Sequence, residues 1–114
     1  MGKRGSMAGG LARGEVRLCP FPYPDKLRPV VVLTRESAIG YLSGVTVAPV
    51  TSSIRGVPSE IVLSEADGMK GPCAVNLFNL ITVPKTRLGR RVAMLSSERM
   101  QEICTAVGFA LGCG

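Results

Sequence analysis

The 114-residue chain contains no histidine and no tryptophan, and its aromatics amount to three phenylalanines and two tyrosines. Without imidazole, the commonest general base at neutral pH is missing. So is His-based activation of a serine or cysteine nucleophile. Zinc sites lose their usual nitrogen ligands. Four cysteines are present, Cys19, Cys73, Cys104 and Cys113, but none forms a C-x-x-C pair. That spacing favours neither a metal site nor a disulfide frame, and the four read as small buried thiols. A G-x-x-x-x-G-K phosphate loop is absent too. No apolar run approaches the ~20 residues of a membrane span, and no apolar stretch follows Lys3 and Arg4 to make a secretory signal. The expected address is the cytoplasm, with no membrane partner.

A hydrophobic content of 46% excludes a wholly disordered protein. The length suits one domain with a modest core, for which self-association is expected. Lysine and arginine number 14 against 8 acids, a formal charge of +6. Ten of the 14 cations are arginine, the better residue for bidentate phosphate contact. This balance permits an anionic partner without requiring one.

Residues 1–12, MGKRGSMAGGLA, are small, Gly-rich and aperiodic, and read as a disordered leader or a cloning remnant ahead of a second start at Met7. The single domain is expected over 13–114. GEVRLCPF reads as a half-buried strand with Val16 and Leu18 inward and Glu15, Arg17 and Cys19 outward. Pro20, Pro22 and Pro24 then stiffen an extended loop. Strands are expected at 29–34, 45–51, 59–64, 74–83 with a break near Asn79, and 90–95. Pro49 argues for an edge or a bulge in its strand. Ser96 is a plausible N-cap for a closing helix that Gly112 stops. Met100, Ile103, Cys104, Val107 and Leu111 form its apolar stripe. The fold class is mainly β with a C-terminal helix, a small bent sheet or barrel.

Polar residues stand just past the strand ends. Arg28 and Pro29 open the apolar LRPVVVLT, while Thr51, Ser52 and Ser53 close VTVAPVT, with Arg55 in the following turn. If these two strands are antiparallel neighbours, Arg28 and Thr51 share one rim. A strand-end charge beside a turn-forming Thr-Ser-Ser is the mundane alternative.

RGEV at 13–16, RPVVVLT at 28–34, VAPVTSSIRG at 47–56, PSEIVL at 58–63, AVNLFNLITV at 74–83 and LGRRVAMLS at 88–96 occur in this order. The series resembles the MazF/PemK family, the toxins of bacterial type II toxin–antitoxin modules, over residues 13–113. The resemblance implies an SH3-like β-barrel with a C-terminal helix, working as a homodimer. It implies an endoribonuclease that cuts single-stranded RNA without a metal or other cofactor. The products would be a 2′,3′-cyclic phosphate and a 5′-hydroxyl. An antitoxin with an acidic tail would occupy the same basic groove.

Residue by residue, the resemblance assigns the catalytic arginine to Arg28 and the catalytic threonine to Thr51. It places Ser52, Ser53 and Arg55 in an RNA-contacting loop, Lys26 in a loop over the substrate, and Asn79 at a recognition position. Many relatives are acidic where this chain has Phe78. That ring would stack on a base or pack at the dimer seam, and Tyr23 is the other stacking candidate. Two alternatives stay open: a non-catalytic binding module, and a gyrase-poisoning toxin of the same fold. The second sits poorly with the missing tryptophan, through which those toxins act.

Overall fold

The strand LRPVVVLT carries three consecutive valines because both of its faces are covered. Val30, Val31 and Val32 are all fully buried, as expected of a strand sandwiched between two apolar layers. Val31 faces a core with Val16, Ala48, Val50, Leu63, Leu77 and Ile103. Val30 and Val32 face a second core with Cys19, Ile39, Val45, Val47 and Val83. A computed structural model describes residues 10–21 and 27–113 of the chain. Seven strands and two helices run β1 (Glu15–Pro20), β2 (Leu27–Val32), α1 (Glu36–Ile39), β3 (Gly44–Thr51), β4 (Glu60–Leu63), β5 (Cys73–Asn76), β6 (Ile81–Pro84), β7 (Arg91–Met94) and α2 (Ser97–Leu111).

One sheet of order β4-β5-β3-β2-β1-β7 holds the molecule, with β6 added on β3. The expected fold class, mainly β with a C-terminal helix, is borne out. The described residues form seven strands because the expected strand over 74–83 is two, parted by a turn at 77–80. β3 lies at the centre, not at an edge. Its first half pairs with β6, from Gly44↔Pro84 to Val47↔Ile81, and its end pairs with β5 at Val50 and Thr51. Ala48 and Pro49 fall between these two partners. Pro49, which has no N–H to offer a ladder, thus occupies the place where the strand changes neighbours.

Two further expectations are corrected by the way β1 is packed. Glu15, read as outward-facing, is only 4% exposed, and Cys19 is fully buried. The ladder between β1 and β7 is irregular between Val16 and Arg17, and arginine side chains close over the Glu15 carboxylate. Arg17 lies 3.0 Å from its Oε1 and Arg91 3.4 Å from its Oε2. The Ala12 N–H donates to the same Oε1 at 3.0 Å. Leu11 packs on the second core.

α2 is capped as its sequence implies. Ser96 Oγ accepts from the Arg99 N–H, and Gly112 stops the helix at φ 75°. Its buried stripe is narrower than expected. Ile103 and Ala106 are buried, and Met100, Val107 and Ala110 pack around them, whereas Cys104 and Leu111 turn outward. Of the four cysteines, Cys19 and Cys73 are buried thiols, but Cys104 and Cys113 are exposed. No helix among the described residues is long and apolar enough to cross a membrane.

Arg99 ties the helix to the turn after β4. Its Nε donates to Asp67 Oδ1 at 2.9 Å and its Nη2 to Oδ2 at 3.2 Å, while the Ser64 N–H donates to Oδ2 at 2.9 Å. The Arg99 hydrogen bond, chiefly, holds the Asp67 carboxyl below the usual carboxylate range. The folded value being depressed, this stabilisation is complete above the unfolded carboxylate's ~3.9. It is lost as pH falls through the lower folded value. Asp67→Asn is expected to cost about 2 kcal/mol at neutral pH and to flatten the loss of stability below pH ~4. Urea titrations of both proteins across that range measure it.

Candidate active site at the β2–β3 rim

β2 and β3 are antiparallel, with Val30 opposite Pro49. Two residues further towards the rim, this register brings Arg28 level with Thr51. Arg28 is held from the other side by its pairing with Cys19 on β1, and Thr51 by its pairing with Ala74 on β5. The rim is therefore set by ladder geometry from four strands rather than by loops. Both side chains are half-buried.

Arg28 and Thr51 line two adjoining clefts. The smaller, about 220 Å³, also takes in Ser53, Arg55 and Asn79, together with Pro49, Asn76 and Glu60. The larger, about 500 Å³, takes in Ser52 and runs over Leu18, Val50, Met69 and Val92 to Lys70 and Arg90. Of the residues singled out in the sequence, Arg28, Thr51, Ser52, Ser53, Arg55 and Asn79 thus converge. Phe78 does not: its ring is 62% exposed and lines neither cleft. Tyr23 and Lys26 lie outside the described residues.

The Ser53 N–H donates to Thr51 Oγ1 at 3.1 Å. That bond occupies an acceptor position of the hydroxyl and leaves its proton free to be given outward. The following loop is pinned by Glu60. Its Oε1 accepts from the N–H groups of Arg55 and Gly56, both at 3.0 Å, and its Oε2 from Arg55 at 3.3 Å. Gly56 has φ +73°, a conformation that side-chain-bearing residues adopt at a cost. On the far side, the Phe78 N–H donates to Asn76 Oδ1 at 3.0 Å, which shapes the turn that presents Asn79.

Sequence reasoning missed Glu60, Asn76, Lys70 and Arg90. Only Glu60 left a trace in the chain, an acid just beyond a Gly-Val-Pro-Ser turn and able to reach back to it. Cys73 also borders the larger cleft. Burial first, and then the Asp67 charge, push its thiol above the ordinary range, so it holds its proton at neutral pH. The lining is cationic, with Arg28, Arg55, Lys70 and Arg90 against the single acid Glu60 among the described residues. Such a site stabilises negative charge on oxygen.

The family model of the PemK-like, MazF-like toxins of type II toxin–antitoxin systems matches residues 12–111. Endoribonuclease MazF3 of Mycobacterium tuberculosis is 37% identical over 86 residues, covering 75% of this chain and 84% of that protein. The solved Mycobacterium tuberculosis toxin MazF-mt6 superposes with a TM-score of 0.80 at 32% identity, over 88% of this chain and 98% of that one. An endoribonuclease solved in complex with its cognate antitoxin, from a mycobacterial species, gives a TM-score of 0.82 at 25% identity, over 91% and 97% of the two chains. With its sequence matched almost end to end and its sheet and helix shared, the chain belongs to the PemK-like, MazF-like toxin family of type II toxin–antitoxin systems.

Proposed function

We infer that this chain is the toxin of such a module, an endoribonuclease that cuts single-stranded RNA with Arg28 and Thr51 at its reacting phosphate. The observation that carries the reading is the convergence of these two side chains on the same pair of clefts. RNA brings its own nucleophile, the 2′-hydroxyl beside the phosphorus. Attack forms the 2′-O–P bond and breaks the P–O5′ bond, giving a 2′,3′-cyclic phosphate and a 5′-hydroxyl. Charge builds on the phosphoryl oxygens, where the Arg28 guanidinium clamps it. The Thr51 O–H donates a hydrogen bond to the same group of oxygens. Arg28, always charged at neutral pH, is a poor proton acceptor, but it is placed to pass a proton towards the departing 5′-oxygen. Pro29, beside it on β2, restricts the backbone that aims the guanidinium and lowers the ordering cost on docking.

Ser52, Ser53, Arg55 and Asn79 border the path of the flanking nucleotides. Tyr23, Lys26 and Phe78 remain candidates for further contacts with the RNA. An antitoxin with an acidic segment suits the same cationic rim. Homodimerisation is supported by an apolar groove of about 600 Å³ beside α2, which includes Leu33, Leu42, Leu80 and Val107. Exposed Phe78 and Phe109 point the same way. The cytoplasm, where the substrate is, is the compartment of action. Neither the non-catalytic nor the gyrase-poisoning alternative is favoured, since the relatives above are endoribonucleases.

Incubating the purified chain with a long unstructured RNA in EDTA tests the reading. Discrete cuts ending in cyclic phosphate are expected; RNA left intact at enzyme excess overturns it. Thr51→Ala is expected to slow single-turnover cleavage by about 2 kcal/mol, roughly thirtyfold, as one hydroxyl donor is lost. Thr51→Ser should recover most of that loss.

A further inference from the structure

The cleavage just described leaves one proton unaccounted for. The attacking 2′-hydroxyl must lose it, and neither an arginine nor a threonine hydroxyl accepts it readily at neutral pH. Among the described residues that line the two clefts, the ionisable groups are Arg28, Arg55, Glu60, Lys70, Cys73 and Arg90. Four are cations, and the Cys73 thiol is driven further towards its protonated form. Histidine does not occur in the chain. Glu60 alone among them presents a conjugate base.

We propose that Glu60 is the proton acceptor of this reaction, its carboxylate taking the 2′-hydroxyl proton as the 2′-oxygen bonds to phosphorus. The proposal rests on the Arg28–Thr51 reading above and adds the third group that reading needs. Glu60 opens β4 and borders the same 220 Å³ cleft as Arg28, Thr51 and Ser53. Its Oε1 is tied by two N–H groups, whereas Oε2 has a single longer contact of 3.3 Å. A carboxylate offers about four lone-pair sites, so Oε2 keeps room for a further hydrogen. The loop amides also fix the carboxylate in place before substrate arrives, as a general base requires. Among the described residues, Arg28 from β2 and Arg55 from the loop are the charged groups sharing the cleft with it, and its β5 neighbour, Asn76, is neutral. In the balanced step the 2′-O–H bond breaks and its proton moves to Glu60. The 2′-O–P bond forms, the P–O5′ bond breaks, and the 5′-oxygen gains a proton from the Arg28–Thr51 side or from water.

The competing account is that Glu60 only shapes the loop, and Glu60→Gln separates the two. A glutamine amide oxygen still accepts from the Arg55 and Gly56 N–H groups but does not take up a proton. Single-turnover cleavage is measured against pH, alongside binding of the same RNA carrying a 2′-deoxy nucleotide at the mapped cut site. For Glu60→Gln, a 10²- to 10⁴-fold fall in rate is expected, with affinity for the deoxy RNA within about threefold of wild type. The wild-type loss of rate on the acid side should vanish in the variant, and Glu60→Asp should restore part of the rate. Cleavage by Glu60→Gln within about threefold of wild type overturns the proposal, as does a slower rate that keeps the wild-type acid limb. Weakened binding that accounts for the whole loss does so too. A wild-type rate that stays flat on the acid side until the chain unfolds overturns it whatever the variant does. Arg28→Ala inactive beside Glu60→Gln active would sink this inference alone; RNA untouched by wild type would take the underlying reading with it.

Discussion

Arg28→Ala is expected to lower single-turnover RNA cleavage by about 10²- to 10³-fold, or ~2.7–4 kcal/mol of barrier, while leaving the fold intact. The size follows from what the guanidinium does. It is a donor fixed in advance where charge accumulates, so its loss is felt in the transition state more than in the bound substrate. Its backbone is held by β1, its side chain is half-buried at the rim, and Val30, Val31 and Val32 anchor the same strand in the two cores. The melting temperature should therefore move little. Arg28→Lys, which keeps charge but not the planar fork, should fall between wild type and alanine. A rate unchanged in Arg28→Ala would remove the residue from the reaction.

Glu15→Ala is expected to be the most destabilising of the substitutions considered, by about 3 kcal/mol. Its carboxylate lies almost fully buried beneath Arg17 and Arg91. Truncation leaves Arg17, whose side chain is 15% exposed, without its counter-charge, and orphans the Ala12 N–H. Arg91, 57% exposed, is able to turn to water, which keeps the cost at the low end of ~3–5 kcal/mol. Against a typical total of ~5–15 kcal/mol this is a large fraction. Urea unfolding should show a lower midpoint with an unchanged slope. Glu15→Gln, which keeps acceptors for Ala12 and Arg17, should recover part of the loss.

Some of this was legible in the chain and some was not, for physical reasons. The rim was legible only on the condition that the strands flanking residues 33–43 pair antiparallel, which the chain by itself does not require. Once β2 and β3 pair, the start of one must meet the end of the other. The helix caps were legible because Ser96 and Gly112 act within a few residues of themselves. Pro49 misled because an edge and a change of partner both spare its missing N–H, and the difference is made by β5 and β6, more than twenty residues away. Glu15 misled because local alternation carries no sign of the arginine that arrives from β7. Cys104 and Leu111 were overcounted as core because a helical period marks a stripe but not its width. Glu60 was passed over for a related reason: its partners are backbone amides, which have no identity in a sequence.

That last feature has a consequence for how such proteins diversify. The shape of the segment from Ser52 to Ser59 is held by the Glu60 carboxylate gripping main-chain N–H groups, by the Thr51 hydroxyl and the Val57 carbonyl accepting from others, and by one glycine at φ +73°. Among the described residues, the side chains of Ser52, Ser53, Ile54, Arg55 and Val57 make no hydrogen bond that holds that shape. Their identities are free to drift while the scaffold beneath them stays put. A lineage of duplicated genes could therefore acquire new cutting preferences one residue at a time, without first surviving a misfolded ancestor.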